Sequence, residues 1–306
     1  SEDRIFIVTT KDQVKLMKQE LPEIGEGNII AEPCGKNTAP CIGLGALFIG
    51  RKDPDAVMGV FPSDHLIRNL ENFKNAISLG EKIAKDSGVL VTFGTKPVRP
   101  ETGYGYIQFC KQEEEEGVYR VKTFAEKPHL SAAKRFMASG DFLWNSGIFL
   151  WKVASILKEI EDSLPELYDS LMQIDAAIDT PDYQKVLKKA YAQIRSESID
   201  YGVMEKSQNV YVVRADFEWN DMGSWESVYE VSRKDENRNV LDGETLCLDT
   251  KGSLIYTTNK LVATIGLSDI IVINTKDVTL IAKKGRSQEV KQVVESLARD
   301  GRKKYL

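Results

Sequence analysis

The first two thirds of the chain alternate short apolar runs with longer amphipathic segments, the pattern of strands joined by crossover helices that pack over a sheet. Ala56 to Phe61 and Val89 to Phe93 read as buried strands. Between them, Asn72 to Lys85 places Phe73, Ala76, Ile77, Leu79, Ile83 and Ala84 close to helical spacing. Pro40 suits the first turn of a helix from Cys41 to Arg51, with Thr38 as its cap and Asn37 before it. Leu143 to Val153 reads as one long strand, and Pro165 to Ala192 as helix interrupted near Thr180-Pro181. A polar linker, Arg233 to Asn239, separates residues 1–232 from residues 233–306. Beyond it, Thr245-Leu-Cys-Leu, Ser253-Leu-Ile-Tyr, Leu261-Val-Ala-Thr-Ile and Ile270-Ile-Val-Ile are short, closely spaced strands. They precede an amphipathic helix from Ser287 to Ala298. Glu113 to Glu116 reads as a solvated hairpin tip.

Composition narrows the classes. The chain has 306 residues, 42% of them hydrophobic and 28% charged, as in ordinary globular proteins, and no apolar run approaches a membrane span. A formal charge of -5 argues against a nucleic-acid binder, which presents a strongly basic face. The four cysteines show neither CxxC spacing nor a dense pattern, so reduced thiols and a cytoplasmic location are expected. With two histidines in all, a histidine-built metal site is not expected. The chain opens at Ser1 and enters the β-branched stretch from Ile5 to Thr9 at once, so further residues are expected before it.

Several segments can carry chemistry. Asp64, in Phe61-Pro-Ser-Asp-His65, follows a strand end, where ligands of open α/β sheets bind and where an acid can hold a cation beside a phosphate; the same position suits a turn or cap residue. Asp221 lies in Glu218-Trp-Asn-Asp-Met-Gly-Ser-Trp225, a tight aromatic-flanked loop, and serves either as a second metal-holding acid or as the cap of a helix beginning near Ser224. Glu101-Thr-Gly-Tyr-Gly-Tyr-Ile107 lets backbone approach a ligand at Gly105, or forms a turn into a strand. Glu126 and Lys127 point to opposite faces unless their strand ends there, which Pro128 favours. Asn145, in an apolar run, pairs with a sugar hydroxyl or with backbone at a bulge.

Together and in this order, these segments resemble the sugar-1-phosphate nucleotidyltransferase family, most closely its mannose-1-phosphate guanylyltransferase branch. The resemblance is carried by Ala31-Glu-Pro33 with Lys36-Asn-Thr-Ala-Pro40, Phe61 to His65, Arg99 to Ile107, Glu126-Lys-Pro128, Trp144-Asn-Ser-Gly147 and Trp219 to Trp225. The family's glycine-rich signature loop, which wraps the triphosphate and ends in an Arg and a Lys, does not occur in these residues. The resemblance implies a Rossmann-like mixed sheet with flanking helices and a small C-terminal β-helix-like domain used in homodimer contacts. It implies that a phosphate oxygen of mannose 1-phosphate displaces pyrophosphate from GTP, giving GDP-mannose, with no covalent enzyme intermediate. By the same resemblance, Asp64 and Asp221 hold Mg²⁺ and Lys127 grips the sugar phosphate. Gly105, Glu126, Asn145 and Glu205 bind the sugar, while Glu32, Asn37, Thr38 and Ala39 face the base. Another sugar phosphate or nucleotide, and a sugar-nucleotide-binding regulator without activity, are the alternatives.

Overall fold

The computed structural model describes residues 2–305 and divides into two compact units. The first, residues 1–63 and 67–219, opens with β1 (Ile7–Thr10), α1 (Val14–Glu20), β2 (Ile29–Glu32), α2 (Thr38–Lys52), β3 (Val57–Val60), β4 (Leu66–Ile67) and α3 (Leu70–Ser87). It continues through β5 (Leu90–Thr95), β6 (Tyr106–Glu115), β7 (Val118–Ala125), α4 (Leu130–Ser139), β8 (Phe142–Lys152), α5 (Val153–Ser163), α6 (Pro165–Ala177), α7 (Tyr183–Gln193), β9 (Val210–Ala215) and β10 (Trp219–Asn220). β1 and β2 pair in parallel; β4 and β10 form a short ladder.

The main sheet has six strands in the order β3-β8-β5-β9-β7-β6, mixed in direction. At its centre β5 runs parallel to β9, and its first five residues are buried because helices cover both faces. Alternation along β8 sends Phe149 and Trp151 into a core with α2, α5, α6 and α7, while Ile148 and Leu150 join Phe93 and Phe217 beneath α3. The mixed sheet and flanking helices match the expected architecture. The expected strand from Ala56 to Phe61 shortens to β3. It lies at the sheet edge with only Met58 buried, because an edge strand is covered from one side.

The start of α2 differs in detail from expectation. Asn37, not Thr38, is the cap: it adopts a left-handed φ of 70°, and its side-chain oxygen accepts from the Thr38 N–H at 2.9 Å. With ψ at -170° this is a backbone conformation that residues other than glycine rarely take, and the local side-chain bond helps to hold it. The Thr38 hydroxyl is thereby released for another partner, described below.

The second unit takes in residues 64–66 and 220–306, so the break in compactness comes before the polar stretch from Arg233. After α8 (Trp225–Val231), β11 (Val240–Asp242), β13 (Leu254–Thr257) and β15 (Ile270–Asn274) stack in parallel, as do β12 (Thr245–Leu248) and β14 (Val262–Ile265). This is the coil of a short β-helix. It closes with antiparallel β16 (Thr279–Lys283) and α9 (Val290–Arg299). Polar rungs tie successive turns: Asn274 Nδ2 donates to Thr257 Oγ1, 17 residues earlier, and the Thr250 and Thr264 hydroxyls bond at 2.9 Å.

Leu171 on α6 is fully buried in the larger core. Leu171→Ala is expected to cost about 2–5 kcal/mol, from lost transfer energy and the cavity left behind. A urea titration followed by circular dichroism measures it.

Candidate functional site

Most of the sequence-predicted site residues fall into three groups. The first surrounds Gly105, immediately before β6. A side chain at this position would meet Glu126 Oε2 and crowd Asn145 Cβ, so glycine lets the Glu126 carboxylate lie directly over this backbone, where a larger residue would push it aside. Glu126 and Lys127 follow the end of β7, where the strand stops and Lys127 takes a left-handed φ of 45°. Released from strand alternation, the two turn to the same space, and Lys127 Nζ lies 3.4 Å from Glu126 Oε1.

Asn145 lies within β8 and is half-buried. Its N–H donates to the Gly105 carbonyl at 2.9 Å, and its side-chain oxygen accepts from Thr92 Oγ1 at 3.1 Å and the Gly147 N–H at 3.2 Å. Its amide nitrogen donates to Asp200 Oδ1 at 2.8 Å, which leaves one amide hydrogen for a ligand. Asp200 begins a π-helical turn, Asp200–Met204, closed by the Glu205 N–H on the Asp200 carbonyl at 2.9 Å. Burial, and then the nearby Glu126 carboxylate, push the Asp200 carboxyl up to about 6, against the Asn145 hydrogen bond and Lys127. Burial and Glu126 also raise Glu205. Three carboxylates, an amide and a lysine therefore converge above a glycine. Carboxylates accept hydrogen bonds and a lysine attracts an anion, so the set suits a polyol that carries an anionic group.

The second group lies where β2 meets α2. Glu32, the last residue of β2, is only 5% exposed. One of its carboxylate oxygens accepts from the Tyr191 hydroxyl of α7 at 3.0 Å. Burial raises its pKa and that bond opposes the rise, while the Cys41 thiol nearby is pushed up to about 12, mainly by burial. The 36–39 turn is fastened to the chain before Asp200. The Ala39 N–H donates to the Glu197 carbonyl at 3.0 Å, the Glu197 N–H to the Lys36 carbonyl at 3.2 Å, and the Ile199 N–H to Thr38 Oγ1 at 2.8 Å.

The third group belongs to the second unit. Asp64 is exposed in a turn, and Asp221 is half-buried. The cap of α8 is Ser224, whose hydroxyl accepts from the Ser227 N–H at 3.1 Å, so Asp221 does not cap that helix. Its Oδ1 instead accepts from the Gly223 N–H at 2.9 Å, and left-handed Glu218 and Met222 bend the loop around it. Burial lowers the pKa of His65, against the pull of Asp64 and Asp221, so both carboxylates act on one imidazole. Among the described residues there is no cluster of three or more His, Cys, Asp or Glu. A pair of carboxylates fits Mg²⁺, which takes one or two protein oxygens and completes its shell with water and phosphate.

Comparison with known proteins shows the family. A family model described as nucleotidyl transferase matches residues 1–238, and one described as a MannoseP isomerase/GMP-like beta-helix domain matches residues 243–297. The chain belongs to the nucleotidyl transferase family. The chain is 39% identical over 286 residues to a mannose-1-phosphate guanylyltransferase of Escherichia coli, covering 92% of this chain and 61% of that protein. It is 40% identical over 284 residues to mannose-1-phosphate guanylyltransferase ManC of Salmonella typhimurium, covering 91% and 59%. The chain thus spans about three fifths of the curated relatives it matches. A crystal structure described as mannose-1-phosphate geranyltransferase of Thermus thermophilus superposes with a TM-score of 0.84 at 31% identity, over 97% of this chain and 85% of that one.

Sequence reasoning assigned no role to Asp200, Tyr191 or Thr92. The burial of Asp200 follows from a π-turn that no periodicity announces. Tyr191 reads as one more apolar position of an amphipathic helix.

Because the folded Asp200 carboxyl ionises later than in the unfolded chain, the fold loses stability as pH rises from about 4 to about 6. Asp200→Asn keeps the oxygen that accepts from Asn145. It is expected to be neutral near pH 4 and to stabilise the protein at pH 7.5 by up to about 3 kcal/mol. Paired denaturant titrations at the two pH values check this.

Proposed function

We propose that the protein transfers GMP from GTP to α-D-mannose 1-phosphate, giving GDP-mannose and pyrophosphate. The observation that carries the reading is the Gly105 group: a glycine floor, Asn145 and three carboxylates able to accept from sugar hydroxyls, with Lys127 beside them for the phosphate. The names borne by the relatives supply the identity of the sugar and the base. A phosphate oxygen of the sugar phosphate attacks the α-phosphorus of the nucleotide in line. The bond from the α-phosphorus to the bridging oxygen breaks, and pyrophosphate leaves.

The protein's part is positioning and charge neutralisation. Lys127 holds the attacking phosphate as a point charge. Glu126, Asn145 and Glu205 orient the sugar ring. Glu32 and the turn of Asn37, Thr38 and Ala39 face the base, where a carboxylate accepts from the N1 and N2 hydrogens of guanine and would be left unpaired by a base lacking them. Asp64 and Asp221 hold Mg²⁺, which when bound offsets the charge developing at the α-phosphate. We place the protein in the cytoplasm. All four cysteines are free, as suits a reducing compartment, and no described helix is long and apolar enough to cross a membrane.

A homodimer is part of the same reading. Leu246, Leu248 and Ile265 stand exposed on one side of the β12–β14 pair, where Leu248 and Ile265 are directly paired, while Cys247 and Thr264 point inward. Such an apolar strip favours burial against a second copy. Light scattering at micromolar concentration is expected to give twice the monomer mass; a monomer would count against it.

Pyrophosphate release by the full-length protein, compared across GTP, ATP and UTP and across sugar 1-phosphates, tests the activity. GTP with mannose 1-phosphate is expected to turn over fastest. Asp221→Asn is expected to stay folded and lose activity by on the order of a hundredfold or more, the scale of removing one electrostatic stabiliser of a transition state. Near-normal turnover would remove Asp221 from the site.

A further inference from the structure

Glu32 is an unusual buried acid. At 5% exposure it is almost wholly enclosed, and a buried carboxylate normally has hydrogen bonds to both oxygens. Among the described residues the Tyr191 hydroxyl meets Oε1 at 3.0 Å, while Oε2 is not one of the sealed atoms left without a partner and so opens to the outside. Neither lysine nor arginine neutralises it. The nearby titratable groups are the Cys41 thiol from α2 and the Tyr191 phenol from α7, with Tyr183 beside Tyr191, all held neutral by burial. The carboxylate lies at the carboxyl end of a parallel strand, next to the α2 turn. An oriented buried acid with one open oxygen at such a place awaits a ligand that offers N–H donors.

We propose that Tyr191 is the positioning residue for base selection: by holding Oε1 of Glu32 it fixes the plane of the carboxylate, so that its open edge meets the paired N–H donors of a guanine-type base. The inference rests on the reading of Glu32 as a base-facing residue and extends it to a side chain that never touches the nucleotide. Two features equip Tyr191 for this. It is fully buried in the core between α2 and the helices around it, so its hydroxyl cannot wander. The phenol's proton, moreover, goes to an oxygen that keeps a second lone pair, so both carboxylate oxygens remain able to accept from a base. Removing the hydroxyl leaves the acid with the same burial and no internal donor. Its plane is then free to turn, and its proton is lost only at higher pH.

The test compares GTP with ITP, which keeps the N1 hydrogen and lacks the N2 amine, in the full-length protein. Tyr191→Phe is expected to leave kcat within about threefold and raise KM for GTP about tenfold, the scale of one well-aligned hydrogen bond. KM for ITP should rise less, so discrimination between the two falls. The acid limb of kcat/KM for GTP should move to higher pH. Site-specific 3-fluorotyrosine at position 191 preserves the ring and hydroxyl and acidifies the phenol, so it guards against a misfolded variant; there the limb should move to lower pH. Glu32→Gln separates two kinds of failure. If it abolishes discrimination while Tyr191→Phe and the fluorinated residue leave both discrimination and the acid limb unchanged, Tyr191 only packs and the proposal is overturned. If Glu32→Gln itself leaves discrimination intact, Glu32 does not face the base, and the underlying reading falls together with the proposal.

Discussion

Three hydrogen bonds between residues 36–39 and residues 197–199 hold both halves of the candidate site in the first unit. On one side of the strap lies the α2 turn with Glu32; on the other, one residue further along, Asp200 reaches Asn145 and through it the Gly105 backbone. Without this strap the π-turn would have no fixed origin, and Asp200 could not be pressed into a space already holding Glu126. Burial first, and then the nearby Glu126 carboxylate, raise the Asp200 carboxyl there. The buried core shared by α2, α5, α6 and α7 lies behind the strap and holds it in place.

Legibility in the sequence followed the kind of force at work. Elements made by repeating burial were readable: β8 came within one residue of its expected bounds, and the helix broken at Thr180-Pro181 is the pair α6 and α7. Single hydrogen bonds were not. The exchange of roles between Asn37 and Thr38 depends on a partner, Ile199, that is 161 residues away. β11 and β16 went unread because each is short or half-exposed and gains its pairing only from coils formed elsewhere. The candidate site was legible as a set of segments, through family resemblance; what joins them, Tyr191 to Glu32 and Asp200 to Asn145, lay outside any local pattern.

The second unit meets a different difficulty. A coil of short strands cannot bury much apolar area, and its hydrophobic packing is confined to residues such as Leu254, Ile271 and Ile273 with Tyr229 of α8. Buried polar rungs supply the rest: Asn239 donates to the Thr250 carbonyl at 2.8 Å and accepts from the Ser253 N–H at 3.0 Å, so the turns between coils are satisfied internally. That arrangement fixes register, since slipping one coil by a residue would orphan every rung.

On the proposed function, Lys127 meets an anionic substrate while already paired with Glu126. The ammonium already has a counter-charge at 3.4 Å, so capture of a phosphate is an exchange of partners, not the filling of an empty positive site. Attraction from a distance is therefore muted, and affinity should respond less to ionic strength than a lone lysine would require. The exchange also does something at the other end. On the proposed function, the Glu126 carboxylate would lose its partner when the lysine turned to phosphate and would become a stronger acceptor as a sugar hydroxyl came within reach, so recognition of the two parts of one ligand would be tied to a single swap of charge.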